Sequence, residues 1–328
     1  MAETRYVFIQ SCINIIFDMS FTGRDIIQIS DFSKKDILTV LQTAEQMKRL
    51  QGSNLLQGKI LATLFFEPST RTKMSFDAAM KRLGGEVIGF SDWKDTSIQK
   101  GETLSDTIKV VEGYSDVIVI RHPEQGSAKI AADAAHIPVI NGGDGSNEHP
   151  TQTFVDLFTI YKNNGSLDGL SIGFVGDLKY GRTVHSLAKA LSMFDVDMYF
   201  IAPKELEFPD KIIKEMGTQK RCFRAENVDE VAKKLDFLYA TRIQKERFLG
   251  DDLMYKKKFQ YCLDADFLKR AKEGMKIMHP LPRVGEIKHE LDQYKNALYF
   301  EQAHNGIPVR MALLILVLGK AENLLDGM

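Results

Sequence analysis

Residues 65–76 read FFEPSTRTKMSF, and the order of residue types in this stretch decides the fold around it. The apolar run from Ile60 to Phe66 predicts a buried parallel strand, which Pro68 ends. Ser69 is then expected to cap a helix whose apolar face is formed by Phe76, Ala79, Met80 and Leu83. A strand that leads directly into a helix is typical of a parallel α/β sheet.

The start of this helix has the composition of an anion site. Its first backbone N–H groups have no partner inside the helix, and the helix dipole gives this end a partial positive charge. Ser69, Thr70, Arg71 and Thr72 add three hydroxyls and a guanidinium in consecutive positions. A Ser–Thr pair alone is typical of an ordinary helix cap. The full set favours a bound phosphate.

Length and composition narrow the class of protein. The 328 residues exceed what one hydrophobic core usually supports, which predicts two domains of roughly 150 residues each. Lys and Arg total 43 against 44 Asp and Glu, so there is no general basic field for nucleic acid. The longest apolar run, 311–318, is too short to span a membrane. Three separated cysteines indicate reduced thiols in the cytosol and no zinc site: Cys12, Cys222 and Cys262.

Predicted strands and helices alternate in two series, separated by the turn NNGS at 163–166. We expect two doubly wound parallel-sheet α/β domains, with the active site in the cleft between the carboxyl ends of their strands. The first domain is predicted over 21–149 and the second over 150–304. A C-terminal helix over 305–326, with Pro308 in its first turn, is expected to pack back on the first domain. Residues 1–20 lack the features of a signal peptide and form an extension of unassigned role.

Further candidate site residues follow the ends of other predicted strands. Arg121 ends one of them and is a second candidate for anion binding. His149 and Gln152 open a helix after a Gly-rich run and share one helix face. The two prolines in HPLPR, 279–283, exclude a helix and predict a rigid turn whose carbonyl groups can act as acceptors.

A nicotinamide-dependent oxidoreductase is disfavoured by the glycine spacing in the second series. Gly173, Gly176 and Gly181 do not match GxGxxG, because Gly173 lies inside the predicted strand and the later spacing is too long.

Six motifs, in order along the chain, resemble the catalytic chains of the aspartate carbamoyltransferase family, over about Phe21 to Leu325. They are STRT at 69–72, KGET at 100–103, HPTQ at 149–152, YGRT at 180–183, Thr241-Arg242 with Gln244, and HPLPR at 279–283. The resemblance implies transfer of the carbamoyl group of carbamoyl phosphate to the amino group of L-aspartate. The products are N-carbamoyl-L-aspartate and phosphate, in pyrimidine biosynthesis. No covalent enzyme intermediate, metal or organic cofactor is expected.

The resemblance also implies roles for the matching residues. The phosphate of carbamoyl phosphate is bound by Ser69, Thr70, Arg71, Thr72 and Arg121. The carbamoyl oxygen is surrounded by Thr72, Arg121 and His149. The carbamoyl NH2 group is oriented by Gln152 and the carbonyls of Pro280 and Leu281. The carboxylates of aspartate are bound by Arg182 on the α side and by Arg242 with Gln244 on the β side.

The same resemblance implies an oligomer. Ser97 and Lys100 are expected to come from the loop of a neighbouring subunit, so that a homotrimer shares its active sites. A separate regulatory chain is a further partner that the family allows. Lys73 stands where the family usually has Arg, and we expect a structural consequence there, since the charge is kept and the fork is lost.

Two alternatives share the fold. Ornithine carbamoyltransferases share the phosphate motif, but their pattern is HCLP where this chain has HPLP. In addition, Arg242 suits a substrate with two carboxylates better than one with a cationic side chain. A non-catalytic binding protein is the other, and it is disfavoured by the intact set Arg71, Lys100, Arg121, His149 and Arg242.

Overall fold

The computed structural model describes residues 21–50, 52–91, 101–242 and 261–321. This part of the chain divides into two compact units, one formed by 21–154 with 305–321 and the other by 155–304. The predicted domains were defined by the ligand that each would bind. The division into compact units does not test ligand binding, so the predicted limits stay predictions. Each unit is described by itself below.

The first unit is a parallel α/β sheet. Its described elements are α1 (Lys34–Met47), β1 (Ile60–Phe65), α2 (Thr70–Arg82), β2 (Glu86–Phe90), α3 (Leu104–Val111), β3 (Val117–His122), α4 (Ser127–Ala134) and β4 (Val139–Asp144), with 3-10 turns at Ile29–Asp31 and Glu112–Tyr114. The strand order is β2-β1-β3-β4, and all pairs are parallel. Because the strand order reverses between β1 and β3, right-handed connections place helices on both faces of the sheet. The doubly wound prediction is confirmed for this sheet.

Helix α2 has the apolar face that the sequence predicts. Phe76, Ala79, Met80 and Leu83 are all fully buried. Burial of each large apolar side chain contributes about 1.5–3 kcal/mol, so this face fixes α2 against the sheet. The N-terminus of α2 therefore has a fixed position next to the end of β1.

The second unit repeats the same plan. Its described elements are α5 (Pro150–Asn164, which begins in the first unit), β5 (Leu170–Val175), α6 (Arg182–Leu191), β6 (Val196–Ile201), α7 (Asp210–Met216), β7 (Cys222–Ala225), β8 (Phe237–Ala240), α8 (Ala265–Arg270) and β9 (Lys276–Met278), with 3-10 turns at Lys204–Leu206, Gln219–Arg221, Val228–Glu230 and His289–Gln293. The strand order is β7-β6-β5-β8-β9, again entirely parallel. The strand order of this sheet also reverses, between β5 and β8.

The last helix, α9 (Tyr299–Val317), differs from the prediction of 305–326 at both ends, and Pro308 lies inside it rather than in its first turn. Pro308 removes one helical hydrogen bond, and the buried residues that follow, from Val309 to Val317, offset that loss. The helix ends because Gly319 adopts φ +65° and the Lys320 N–H donates to the Ile315 carbonyl at 2.9 Å. Positions 322–326 lie outside the described residues.

None of the described helices, α9 included, combines the length and the apolar character that crossing a membrane requires.

Candidate active site

Each sheet has a switch point, where the strand order reverses between two neighbouring strands. In the first sheet it lies between β1 and β3, where Phe65 pairs with Arg121. In the second it lies between β5 and β8, where Val175 pairs with Ala240. Ligands of open α/β sheets bind beyond the carboxyl ends of the strands at such points. Arg121 lies near the end of β3, and Arg71, Arg182 and Arg242 follow β1, β5 and β8.

Helix α2 begins at Thr70, so Ser69 occupies the N-cap position as predicted. The expected cap by its side chain is wrong, because within the described residues the Ser69 hydroxyl makes no capping hydrogen bond. The cap backbone still accepts the first helical bond, from the Lys73 N–H at 3.2 Å. The Ser69 hydroxyl is therefore not committed to the helix end.

Arg121 is held at the switch point by two partners. One terminal nitrogen donates to the Gly142 carbonyl at 3.1 Å, and the other lies 3.2 Å from a carboxylate oxygen of Glu67. The side chain is 11% exposed, and its buried Nε has no hydrogen-bond partner among the described residues. Glu67 had no assigned role from the sequence, although it lies two residues after the end of β1, where site residues are expected.

Two arginines at this point have lowered pKa values. Burial lowers the pKa of Arg121, Glu67 acts in the opposite direction, and the nearby charge of Arg71 lowers that pKa further. Desolvation also lowers the pKa of Arg71, although that residue is exposed as a whole. An anion bound between the two guanidinium groups would stabilise both charged forms.

Thr72 lies next to the backbone of β4 at Gly142. It is 5% exposed, and a Cβ built at Gly142 would meet its methyl group at 3.6 Å and the Ile120 carbonyl at 3.2 Å. Strand β4 extends through Gly142 to Asp144. Glycine is needed here because the backbone of β4 runs close to β3 and α2.

The buried carboxylate of Asp144 shapes the loop that leads to His149. It accepts hydrogen bonds from Gly126 N at 2.9 Å, Glu148 N at 3.1 Å and the Asn141 amide at 2.9 Å. His149 follows directly and is 5% exposed. The sequence identifies this stretch only as a Gly-rich run, and the structure shows a hydrogen-bonded support for His149.

His149 and Gln152 lie at the start of α5. The His149 carbonyl accepts the Gln152 N–H at 3.0 Å, and its Nδ1 lies 3.4 Å from the Thr151 hydroxyl. Both residues therefore belong to one helix N-terminus, as the sequence predicts.

Two candidate arginines follow the switch point of the second sheet. Arg182 is the first residue of α6, which follows β5. Arg242 comes two residues after the end of β8, and both arginines are half-buried. The two strand ends touch closely: the Thr241 N–H donates to Val175 O at 2.9 Å, and a Cβ at Gly176 would overlap the Thr241 carbonyl.

The turn at Pro280 and Leu281 follows β9, and both residues are half-buried. Leu281 has φ +56°, and its N–H donates to Nδ1 of His279 at 2.8 Å. His279, which was predicted only as part of a motif, is thus the side chain that holds this turn. Its place directly before the two prolines was the signal available in the sequence.

Three predicted site residues, Ser97, Lys100 and Gln244, lie outside the described residues. Lys73, the departure from the family pattern, forms an ion pair with Asp77 at 2.8 Å along α2. Among the residues described, no group of three or more His, Cys, Asp or Glu side chains could hold a metal ion.

Two free cysteines are described. Cys222 is half-buried, and burial raises the pKa of its thiol. Cys262 is exposed, and its sulfur lies 3.7 Å from the Gly285 carbonyl.

Two doubly wound sheets, each followed by arginines at its switch point, define a two-unit α/β protein that binds small anionic molecules. The chain belongs to the aspartate/ornithine carbamoyltransferase family. The carbamoyl-P binding domain of that family matches residues 24–162, and its Asp/Orn binding domain matches residues 168–317.

The relatives by sequence are aspartate carbamoyltransferase catalytic subunits. That of Thermococcus kodakarensis is 56% identical over 306 residues, covering 92% of this chain and 99% of the relative. That of Chromobacterium violaceum is 50% identical over 299 residues, covering 90% and 98%. The family resemblance predicted from the motifs is confirmed.

Solved structures of aspartate transcarbamoylases are also similar to this chain. Aspartate transcarbamoylase from Trypanosoma cruzi, in complex with carbamoyl phosphate and aspartate, matches with a TM-score of 0.87 at 42% identity, covering 92% of this chain and 98% of that one. The catalytic subunit of M. jannaschii aspartate transcarbamoylase matches with a TM-score of 0.83 at 48% identity, covering 93% and 98%.

Proposed function

We propose that this chain is the catalytic chain of an aspartate carbamoyltransferase, which converts carbamoyl phosphate and L-aspartate to N-carbamoyl-L-aspartate and phosphate. The observation that carries the proposal is Arg121, a buried guanidinium at a switch point, beside Arg71 and with its Nε unpaired among the described residues. Two neighbouring guanidinium groups favour an anionic ligand between them.

The first unit supplies the groups for carbamoyl phosphate. Ser69, Thr70, Arg71 and Thr72, at the N-terminus of α2, bind the phosphate together with Arg121. Thr72, Arg121 and His149 donate to the carbamoyl oxygen, and Gln152 orients the carbamoyl NH2. The uncommitted Ser69 hydroxyl supports this assignment.

The second unit supplies the groups for aspartate. Arg182 binds the α-carboxylate, and Arg242 with Gln244 binds the β-carboxylate, where a planar guanidinium can form a bidentate pair. The carbonyls of Pro280 and Leu281 accept hydrogen bonds from the carbamoyl NH2.

The chemistry needs position and charge rather than a covalent intermediate. The neutral amine of aspartate attacks the carbamoyl carbon, and the carbonyl oxygen becomes an oxyanion stabilised by Thr72, Arg121 and His149. The bond to the phosphate oxygen then breaks, and the departing phosphate can take the proton of the amine. Each preorganised donor to the oxyanion contributes on the order of 3 kcal/mol.

The test is product formation from carbamoyl phosphate with L-aspartate and with L-ornithine in parallel. We expect carbamoyl aspartate and no carbamoyl ornithine, because two cationic groups match two carboxylates. Preferential use of ornithine would assign the chain to the other branch of its family. Absence of both products would leave only a binding protein.

We also propose a homotrimer that works in the cytoplasm in pyrimidine biosynthesis, alone or with a regulatory chain. In this assembly Ser97 and Lys100 complete the site of a neighbouring subunit. Sedimentation of the chain, alone and with any co-purifying partner, measures the oligomeric state.

Mixing two inactive variants tests this sharing. Arg71→Ala and Lys100→Ala chains remove different parts of the site, so a mixed trimer contains some sites with neither change. We expect activity to reappear after the variants are dissociated and reassembled together, and not after each is treated alone. If mass spectrometry shows mixed trimers without activity, the site is not shared.

A further inference from the structure

Leu281 has an unusual backbone. Within the described ranges it is the one residue other than glycine with positive φ, at +56°. Side chains with a Cβ adopt this conformation rarely, and surrounding contacts must impose it. The contacts around Leu281 are therefore informative.

The main contact is the imidazole of His279. The Leu281 N–H donates to its Nδ1 at 2.8 Å, so Nδ1 must be an acceptor. The ring proton is then on Nε2, which lies 2.8 Å from a carboxylate oxygen of Glu286 and donates to it. The other oxygen of Glu286 accepts the Val284 N–H at 2.9 Å. The imidazole is thus clamped in one tautomer across the turn.

A second layer fixes the backbone of His279. Its N–H donates to the Gln302 side-chain oxygen at 2.8 Å, and the Gln302 amide donates to Asp156 at 2.7 Å. The Tyr239 hydroxyl donates to the other oxygen of Asp156 at 2.8 Å. His279, Gln302 and Asp156 are at most 1% exposed, so each of these bonds is shielded from water. Such connected buried networks hold one arrangement.

The clamp determines where the Pro280 carbonyl points. The peptide unit between Pro280 and Leu281 is planar and trans, so its N–H and C=O point in opposite directions. With the Leu281 N–H held on His279, the Pro280 carbonyl must point away from the imidazole. Hydrogen bonds to Glu286 support the clamp: they outweigh burial and lower the pKa of this carboxyl.

We propose that His279 is a positioning residue: by accepting the Leu281 N–H in a fixed tautomer, it aims the Pro280 carbonyl at the carbamoyl NH2. This rests on the proposed function, which assigns that carbonyl to carbamoyl phosphate. His279 itself contacts no substrate in this scheme. Its contribution is a backbone acceptor that is already oriented when carbamoyl phosphate binds.

Two substitutions at His279 separate the acceptor from the rest of the ring. His279→Asn places an amide oxygen near the position of Nδ1 and keeps an acceptor for the Leu281 N–H. His279→Gln reaches towards Glu286 and removes that acceptor. His136→Gln, at an exposed histidine paired with Glu112, is the matched control. Thermal unfolding shows which variants are folded.

We expect His279→Gln to lower kcat/KM for carbamoyl phosphate about 10- to 100-fold, as for a displaced positioning group. His279→Asn should recover most of this loss. Inhibition by inorganic phosphate, which has no carbamoyl group, should be unchanged in both. Equal losses in the two variants, or weaker phosphate inhibition in parallel with the loss, would overturn the proposal.

Glu286→Gln keeps the inference testable if neither His279 variant folds. Its new amide opposes the Val284 N–H, and we expect about fivefold lower kcat/KM for carbamoyl phosphate, the value of one hydrogen bond, with phosphate inhibition unchanged. Unaltered kinetics would contradict the clamp. The unmodified chain is assayed alongside: if it forms no carbamoyl aspartate, the proposed function fails, whereas a normal wild type isolates the role of His279.

Discussion

Two arginine side chains, one in each unit, are buried to nearly the same extent, but their pKa values are shifted in opposite directions. The side chain of Arg121 is 11% exposed and that of Arg283 is 10% exposed. Burial lowers the pKa of Arg121, whereas the hydrogen bonds that Arg283 donates to Asp292 outweigh burial and raise the pKa of Arg283. Burial alone therefore does not distinguish an arginine that awaits a ligand from one that is part of the fold.

The difference lies in the partners. Arg283 donates to both oxygens of Asp292 and to the Tyr299 hydroxyl at 3.0 Å, and it lies over the rings of Tyr299 and Phe300. Arg121 has one carboxylate neighbour, one carbonyl acceptor and the like charge of Arg71 nearby. A saturated guanidinium stabilises the protein, and an unsaturated one is available to bind.

Arg121→Ala should give the largest effect. We expect kcat to fall about 10²- to 10³-fold, because a charged donor to the oxyanion is lost. Stability should change by about 1 kcal/mol or less, since the substitution also removes a like-charge contact with Arg71. Steady-state kinetics and urea unfolding measure the two quantities. A fall of less than tenfold would show that Arg121 is structural, like Arg283.

Arg283→Ala is the matched substitution and should show the reverse pattern. It removes the charged donor to Asp292 and the donor to the Tyr299 hydroxyl, which should cost about 1–3 kcal/mol of unfolding free energy. The loss in kcat should be smaller than that of Arg121→Ala. If Arg283→Ala unfolds at the same urea concentration as the wild type, its saturated hydrogen bonding has no stabilising value and the contrast fails.

Asp292→Asn should give the smallest effect, and one that depends on pH. Hydrogen bonds from Arg283 outweigh burial and, with the Tyr299 hydroxyl, lower the pKa of Asp292 to about 2. The unfolded chain titrates near an ordinary Asp value of about 3.9. The ion pair therefore stabilises the fold above about pH 4, and this stabilisation is lost as the pH falls towards about 2.

The variant lacks this titration, so the gap in urea midpoint between wild type and Asp292→Asn should be largest near neutral pH and should close between about pH 4 and pH 2. Glu286 also has a lowered pKa in the same unit and is unchanged in both proteins, so it cancels in the comparison. A gap that stays constant down to pH 2 would mean that Asp292 is not the group responsible.

The sequence predicts the strands that carry the site, because each is a short apolar run that ends in polar or Gly residues. The predicted start of β1 at Ile60 agrees with the structure. Strand β7 was not predicted, because two of its four residues are exposed and it has no apolar run. The predicted start of helix α9 is too late, because a proline such as Pro308 strongly indicates the first turn of a helix.

The supports of the site are harder to predict than its charged groups. Arg121 directly follows an apolar run and Arg242 comes two residues after another, and these positions alone mark them. The clamp on Leu281 joins Asp156 to Gln302, which are 146 residues apart in sequence. Similarly, Asp144 accepts a hydrogen bond from the Gly126 N–H, 18 residues away in sequence. Hydrogen bonds between distant segments leave no periodic pattern, so only the folded chain shows them.

The contrast between the two described cysteines has a practical consequence. Burial suppresses the thiolate of Cys222, whereas Cys262 is exposed, and its sulfur lies 3.7 Å from the Gly285 carbonyl, at the turn that Glu286 closes. Of these two thiols, Cys262 should react first with an environment-sensitive fluorophore. A dye attached there would give an optical test of whether the HPLPR turn keeps its conformation when carbamoyl phosphate is added.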